Sequence, residues 1–459
     1  MVGLVLLLGA VGAGFYLYGY DSGPSHPAEW DSRVAELAVF VEQARGLEFD
    51  RPIFVDFLDE QEYSEFARVE ESEFSDADRE YADDLVAMSR ALGLMEGEVD
   101  LLTAENELYD AGTLGFYSSD TERITVRGDE LTSAVRVTLV HELTHALQDQ
   151  NFDLDRLEDT EDPAVAGNLR AVAEGDAIRI ENEYIDELPA DEQEEYYAQT
   201  EADVTQTEQD LSDVPDVMST LFGSTYLFGE SFVQVLYEDG GTAGVNGALE
   251  DPPLADEQLL DPLTYLQGDA PEQPELAGDE LGDEVIEEGT FGAVYWYVVL
   301  SERIDAHEAL DAVEGWAGDA YVAYRSGGEV CVSSRYLAET DEDASEMERA
   351  LGSWLATMPG EVASVERDGN EIALDACDPG PDAEIGVTGN SGDALILPYA
   401  RSIWAASYLG QGIDLETSFC AADQVVEQVG VEELVNGDEE YFTSPEFQSY
   451  FLDALEACR

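Results

Sequence analysis

A formal charge of −86 is the constraint that any fold of this chain must satisfy first. It arises from 105 acidic residues set against 19 basic ones, and every basic residue is an arginine. Charge of this density usually belongs to chains that stay unfolded, because like charges repel and little apolar surface is available to offset the lost chain entropy. Here 44% of the residues are hydrophobic and they alternate with the acids at regular spacing. That pattern predicts a globular protein with its acids turned outward. Self-repulsion destabilises such a compact state in dilute salt. In molar salt the Debye length falls to about 3 Å and the repulsion is screened. The composition therefore predicts a protein suited to brine, whose surface holds water and cations and lacks the long apolar stems of lysine. There is no basic stripe, so nucleic acid is excluded as a partner. At 459 residues the chain exceeds one ordinary core, and two or three domains are expected.

From Val2 to Tyr20 no residue is charged; Asp21 is the first. A run of this length can just cross a bilayer core as a helix. Residues 1–20 therefore read as a transmembrane anchor, or alternatively as a signal segment cleaved near Ala10 or Ala13. In either case the bulk of the chain lies outside the cell. The four cysteines, Cys331, Cys377, Cys420 and Cys458, fit an exported protein with disulfides. Chain order suggests Cys331–Cys377 and Cys420–Cys458, although three connectivities are possible.

Residues 21–29 form a linker rich in Gly, Ser and Pro. Helical spacing follows over 30–45, a strand over 53–57, and an amphipathic helix over 77–94. Two short apolar runs, 114–117 and 124–126, predict a hairpin. A helix is expected over 132–150 and another over 163–184, with acidic helical sequence to about 216. From 218 to 266 the sequence turns apolar and is punctuated by Gly and Pro. These elements make a first domain, 30–270. Residues 285–377, with a hairpin across Gly327 and Gly328, predict a smaller α+β region, and 393–459 a helical C-terminal region. The fold class is α+β.

The helix over 132–150 carries His141-Glu142-Leu143-Thr144-His145. Two imidazoles four residues apart share one helix face, one turn apart, and can hold a single Zn²⁺ from one side. Glu142 is offset by one residue and reaches the open coordination position, where it can act as general base. Val135, Leu139, Leu143 and Leu147 form the core stripe, and Arg136, Gln148 and Asp149 are polar. Histidine is scarce here: His26, His141, His145 and His307 are the only four. A catalytic zinc needs a third protein ligand. Glu174, on the next helix, is the best-placed carboxylate, in the small-residue stretch 171–177 where two helices can approach closely. Gly175 inside that helix costs about 1 kcal/mol and so implies a packing reason. Asp176 could orient a ligand histidine. Tyr226 and His307 are candidate electrophiles for a tetrahedral intermediate.

The sequence H-E-L-T-H-A-L-Q-D-Q, followed by A-E-G-D-A, resembles the gluzincin-type zinc metalloproteases, and among them a set of haloarchaeal surface proteins. The similarity extends over roughly residues 30 to 340, through Tyr226-Leu227-Phe228-Gly229, Gly240-Gly241, Pro252-Pro253 and Gly315-Trp316 with Gly318-Asp319. It implies a zincin-like, mostly helical domain with a small sheet, and zinc on His141, His145 and Glu174. It also implies hydrolysis of a peptide or protein substrate by zinc-activated water, with Glu142 as base. Related sequences carry His where this chain has Asp261. Two functions are compatible with these residues. One is a membrane-anchored extracellular zinc peptidase of a halophile. The other is a zinc-binding surface protein that keeps the fold with little or no hydrolysis.

Overall fold

Side-chain caps begin many of the helices. Asp59, Ser75, Asp100, Thr132, Thr340, Asp414 and Ser444 each accept a hydrogen bond from the first turn. These caps satisfy amides that have no partner within the helix. The computed structural model describes residues 26–459 apart from 70–73, 129, 155, 157–162, 277–283 and 361. The predicted anchor or signal at 1–20, and most of the linker after it, lie outside the described residues. Among the described residues, no helix is long and apolar enough to cross a membrane.

The first part of the chain contains α1 (Ala35–Arg45), β1 (Phe54–Leu58), α2 (Glu60–Ala67), α3 (Asp76–Ala91), α4 (Leu101–Gly112), β2 (Gly115–Ser118) and β3 (Arg123–Arg127). The predicted motif helix is α5 (Ser133–Phe152), followed by α6 (Pro163–Glu187), α7 (Ala190–Asp210), α8 (Asp216–Glu250), α9 (Glu257–Leu260) and α10 (Pro262–Gln267). Next come β4 (Glu284–Gly289), α11 (Ala293–Ser301), α12 (Ala306–Glu314), β5 (Trp316–Ser326), β6 (Glu329–Ala338), α13 (Asp341–Thr357), β7 (Ala363–Asp368) and β8 (Glu371–Cys377). The last part is helical: α14 (Asn390–Ala394), α15 (Ile396–Gly410), α16 (Leu415–Val426), α17 (Val431–Asn436), α18 (Glu439–Phe442) and α19 (Pro445–Ala457). The class is α+β.

Two sheets organise these helices. The first has the order β1-β3-β2, with β1 parallel and β2 antiparallel to β3. The predicted hairpin is therefore present, and β2 is an edge strand. The second sheet is antiparallel throughout, in the order β4-β5-β6-β8-β7. Its central hairpin turns at Gly327 and Gly328, both at positive φ, which glycine adopts without strain.

The largest core extends from α3 and α4 through α6, α8 and α11 to the second sheet and α13. Segments 30–270 and 285–377 thus share buried side chains. A second core joins α1, the first sheet, α5 and Ile180 of α6. The C-terminal helices add a small one around Tyr408, Val425 and Phe447. Asp319 explains the Gly-Trp-Ala-Gly-Asp segment: its carboxylate accepts from the Phe291 and Gly292 amides and from both Trp296 and Trp316 indoles. Both disulfides follow chain order, Cys331–Cys377 across β6 and β8 and Cys420–Cys458 between α16 and the chain's last turn. Such bonds persist in oxidising surroundings.

The apolar sequence from 218 onward forms the long helix α8, broken only at Gly241. Its glycines interrupt the helical period in the sequence. One of them, Gly229, makes a backbone contact with α6: a Cβ on Gly175 would lie 2.0 Å from the Gly229 carbonyl oxygen. This close approach is the packing reason that Gly175 implied.

Candidate metal centre

Helix α5 is packed on more than one side. Leu139, Leu143 and Leu147 are buried against α1 and the first sheet, as predicted, while Val135 is only partly buried. Gln148, expected on the polar face, is fully buried because α6 covers that side. The crossing of α5 and α6 brings three side chains together. His141 Nε2 lies 3.1 Å from His145 Nε2 and 3.1 Å from Glu174 Oε2, and His145 Nε2 lies 3.2 Å from the same oxygen. These three form the one group of ligating side chains, among the described residues, that could hold a metal ion. Each keeps 12–14% side-chain exposure, so the cluster is recessed but reachable.

The outer ring nitrogens determine where the protons sit. His141 Nδ1 lies 3.0 Å from Glu181 Oε2, a carboxylate that can only accept, so Nδ1 donates. His145 Nδ1 lies 3.0 Å from Gln148 Oε1. The Gln148 amide is oriented by its own nitrogen, which donates to the Ala173 carbonyl and to Asp176 Oδ2. His145 Nδ1 is therefore also a donor. In the neutral rings both Nε2 lone pairs then converge on each other and on a carboxylate oxygen. Three acceptors at this spacing repel unless a proton or a cation lies among them. Without a metal, burial opposes charge on both imidazoles, and the acids around them, Glu174 foremost, more than offset it and raise their pKa values. Burial likewise works to raise Glu174, and the two imidazoles overcome it and hold its carboxyl well below the usual range. The field that favours a proton here also favours a metal cation, and two imidazoles with one carboxylate are a donor set for which zinc is well suited.

Glu142 is 5% exposed and sits beside the edge strand. The Tyr117 backbone amide hydrogen-bonds its carboxylate, and a Cβ on Gly115 would stand 3.5 Å from Glu142 Cγ and 2.9 Å from Thr138 Cγ2. Glycine at 115 is what lets β2 lie this close to α5. Burial pushes the Glu142 carboxyl upward, with the two imidazoles pulling the other way. Tyr226 reaches this neighbourhood from α8. Its hydroxyl is held protonated by burial and by Glu174, and makes no hydrogen bond among the described residues.

The remaining sequence candidates separate clearly. Asp176 is fully buried, accepts from Arg45 Nε at 2.7 Å and from Gln148 Nε2 at 2.8 Å, and reaches His145 only through Gln148. His307 is not brought to the cluster. Its Nε2 faces the Val426 and Val429 carbonyls, because α12 packs against the C-terminal helices, and this corrects its candidacy as an electrophile. Asp261 also lies elsewhere: it caps α10 through the Leu263 amide and belongs to a charged group with Glu257, Glu314, Asp423 and Arg401. Asp261 therefore makes no hydrogen bond or ion pair with the three converging side chains among the described residues. Glu181 was missed. It stands seven residues after Glu174, two turns along the same face of α6, and that spacing was the available signal.

A family model described as a domain of unknown function, DUF8575, matches residues 280–390. That segment carries the five-stranded sheet and none of the residues of the metal cluster. No curated protein and no solved structure matches the chain.

Proposed function

We propose that this chain is an extracellular zinc metallopeptidase of a salt-rich environment, tethered to the membrane through residues 2–20 and folded around a zincin-like domain. The observation that carries this reading is the convergence of His141 Nε2, His145 Nε2 and Glu174 Oε2 within 3.2 Å of one another, next to the recessed carboxylate of Glu142. The likeness of the two motifs to gluzincin peptidases supports it. So do the disulfides, which suit export.

His141, His145 and Glu174 would hold the zinc. Bound zinc supplies Lewis-acid chemistry, polarising a carbonyl and making water more acidic. Glu142 takes the proton from the attacking water and returns it to the leaving amine. Burial raises its pKa toward the range in which a carboxylate can do both. Tyr226, kept protonated, donates to the oxyanion that develops on the scissile carbonyl. An extended substrate adds to the edge strand β2, which flanks Glu142.

The test is purification in high salt, metal analysis, and hydrolysis of a broad peptide library by the wild type and by Glu142→Gln. Zinc at one equivalent, with cleavage that the substitution abolishes, is the expected result. Zinc binding without cleavage by either protein would make the chain a zinc-binding surface module. No zinc binding would remove both versions of the site.

A further inference from the structure

Nearly every cation among the described residues is spoken for. Ion pairs or hydrogen bonds engage the arginines of the described residues, among them Arg45, Arg90, Arg123, Arg127 and Arg401, whereas Arg170 has neither. Among the described residues only the terminal Arg459 shares that condition. With 105 carboxylates available, an unpaired guanidinium is unexpected on grounds of charge alone. Arg170 stands on α6 one turn before Glu174, so the two share a helix face. It is exposed, so its charge is open to a ligand.

The surroundings make this a lined position. Tyr109 of α4 packs edge-on against Phe222 of α8 with ring centroids 6.0 Å apart, and Phe222 lies 5.4 Å from Tyr226 on the next turn. All three rings are half-buried. Arg170 and Glu174 act in opposite senses on both Tyr109 and Tyr226, Arg170 lowering and Glu174 raising their pKa values, against a background of burial that raises both. The aromatic wall therefore lies within reach of both the metal ligand and the free cation.

We infer that Arg170, beside the wall of Tyr109, Phe222 and Tyr226, is a subsite for a carboxylate of the substrate next to the metal centre. The inference rests on the peptidase reading and names its substrate class. A planar guanidinium matches a carboxylate through two parallel hydrogen bonds. In molar salt long-range repulsion is screened, so the pairing acts at contact distance, where one unpaired arginine near the cluster orients a substrate carboxylate. The carboxylate can be the chain terminus of a peptide or an Asp or Glu side chain next to the scissile bond.

The test is a binding measurement in molar salt on zinc-loaded Glu142→Gln protein. Three matched peptides are titrated: one with a free C-terminus, a neutral C-terminal amide, and the same amide carrying Glu beside the central bond. A carboxylate peptide should bind about tenfold tighter than the neutral amide. Arg170→Gln should erase that advantage and Arg170→Lys should keep part of it, with melting temperatures confirming that both variants fold. Preference for the free C-terminus or for the Glu peptide identifies the source. Equal binding of all three, no binding of any, or an advantage that survives Arg170→Gln overturns the subsite. Hydrolysis by the Glu142 protein is scored separately. Arg170-dependent binding without cleavage would keep the subsite and remove the peptidase reading. Cleavage without Arg170-dependent discrimination would do the reverse.

Discussion

The carbonyl oxygen of Gly229 lies 2.0 Å from the point a Cβ on Gly175 would occupy, so α6 and α8 touch backbone to backbone beside Glu174. Helix propensity alone would favour Gly175→Ala by about 1 kcal/mol. The steric conflict is with backbone, which cannot swing aside, and overpacking of this kind costs about 1–3 kcal/mol or more. The net expectation is a loss of stability. Because the next residue back is a candidate ligand, zinc affinity should fall as well. Thermal melts and a zinc titration of Gly175→Ala check both. A more stable variant with unchanged zinc binding would contradict this account of the helix crossing.

Glu181 holds His141 through Nδ1 at 3.0 Å, on the side away from the cluster. Such partners fix the ring and its tautomer, and their loss typically weakens metal binding 10- to 100-fold. Glu181→Ala is expected to fall in that range, and Glu181→Gln, which retains an acceptor, to lose less. Competition with a chelator measures both. Removing zinc from the wild type should lower its melting temperature, since a ligand that binds only the folded state stabilises it by mass action.

The motif helix, Glu174 and the pairing of the cysteines were legible because each rests on local spacing or on chain order. Gln148 was not, since a polar residue at the edge of an apolar stripe gives no sign that a second helix will cover it. For Asp176 the residue was legible but not its route, which runs to His145 through Gln148 and is held by Arg45 from a distant helix. His307 failed as a candidate for the opposite reason. Its residue type suggested chemistry, and only the packing of α12 determines what it faces. The helix α8 is masked in the sequence by its glycines, of which Gly229 serves the contact with α6.

Glu105 in α4 is 1% exposed, and neither carboxylate oxygen has a hydrogen-bond partner among the described residues. Burial alone pushes its pKa up from the ordinary 4.5 to about 8. Below the unfolded value both states hold the proton, so nothing is lost there. Between the two values the folded protein keeps a proton that the unfolded chain releases, so stability falls as pH rises toward 8 and levels off above it. Glu105→Leu should remove this slope and raise the melting temperature at pH 8 more than at pH 5. A pH series of melts on the two proteins is sufficient; parallel curves would show that Glu105 does not titrate in this window.

Cys420–Cys458 closes 38 residues and ties α16 to the end of the chain. The helices it joins share only a small core, so the covalent link carries more of their attachment than Cys331–Cys377 does for two strands that are already paired. Loop closure on this scale is worth about 3–4 kcal/mol in the chain-entropy account. Replacing Cys420 and Cys458 by Ser should expose α19 to limited proteolysis while the rest of the chain resists. Cleavage spread evenly over the chain would show that the C-terminal helices are not a separate weak point.

The charge of −86 sets the last expectation. Ion pairs and acid–acid repulsion are both screened by salt, but 105 acids against 19 arginines leave repulsion dominant. The screening length falls from about 10 Å at 0.1 M to about 3 Å at 1 M, so melting temperature should climb across that interval. The acidic helix α7 offers a local test. Glu194, Glu201 and Asp203 are exposed there. Changing all three to Lys should raise stability clearly in dilute salt and barely in molar salt, since only the unscreened repulsion is relieved. An equal gain at both salt concentrations would point to helix propensity or new contacts as the cause and would separate stability from net charge.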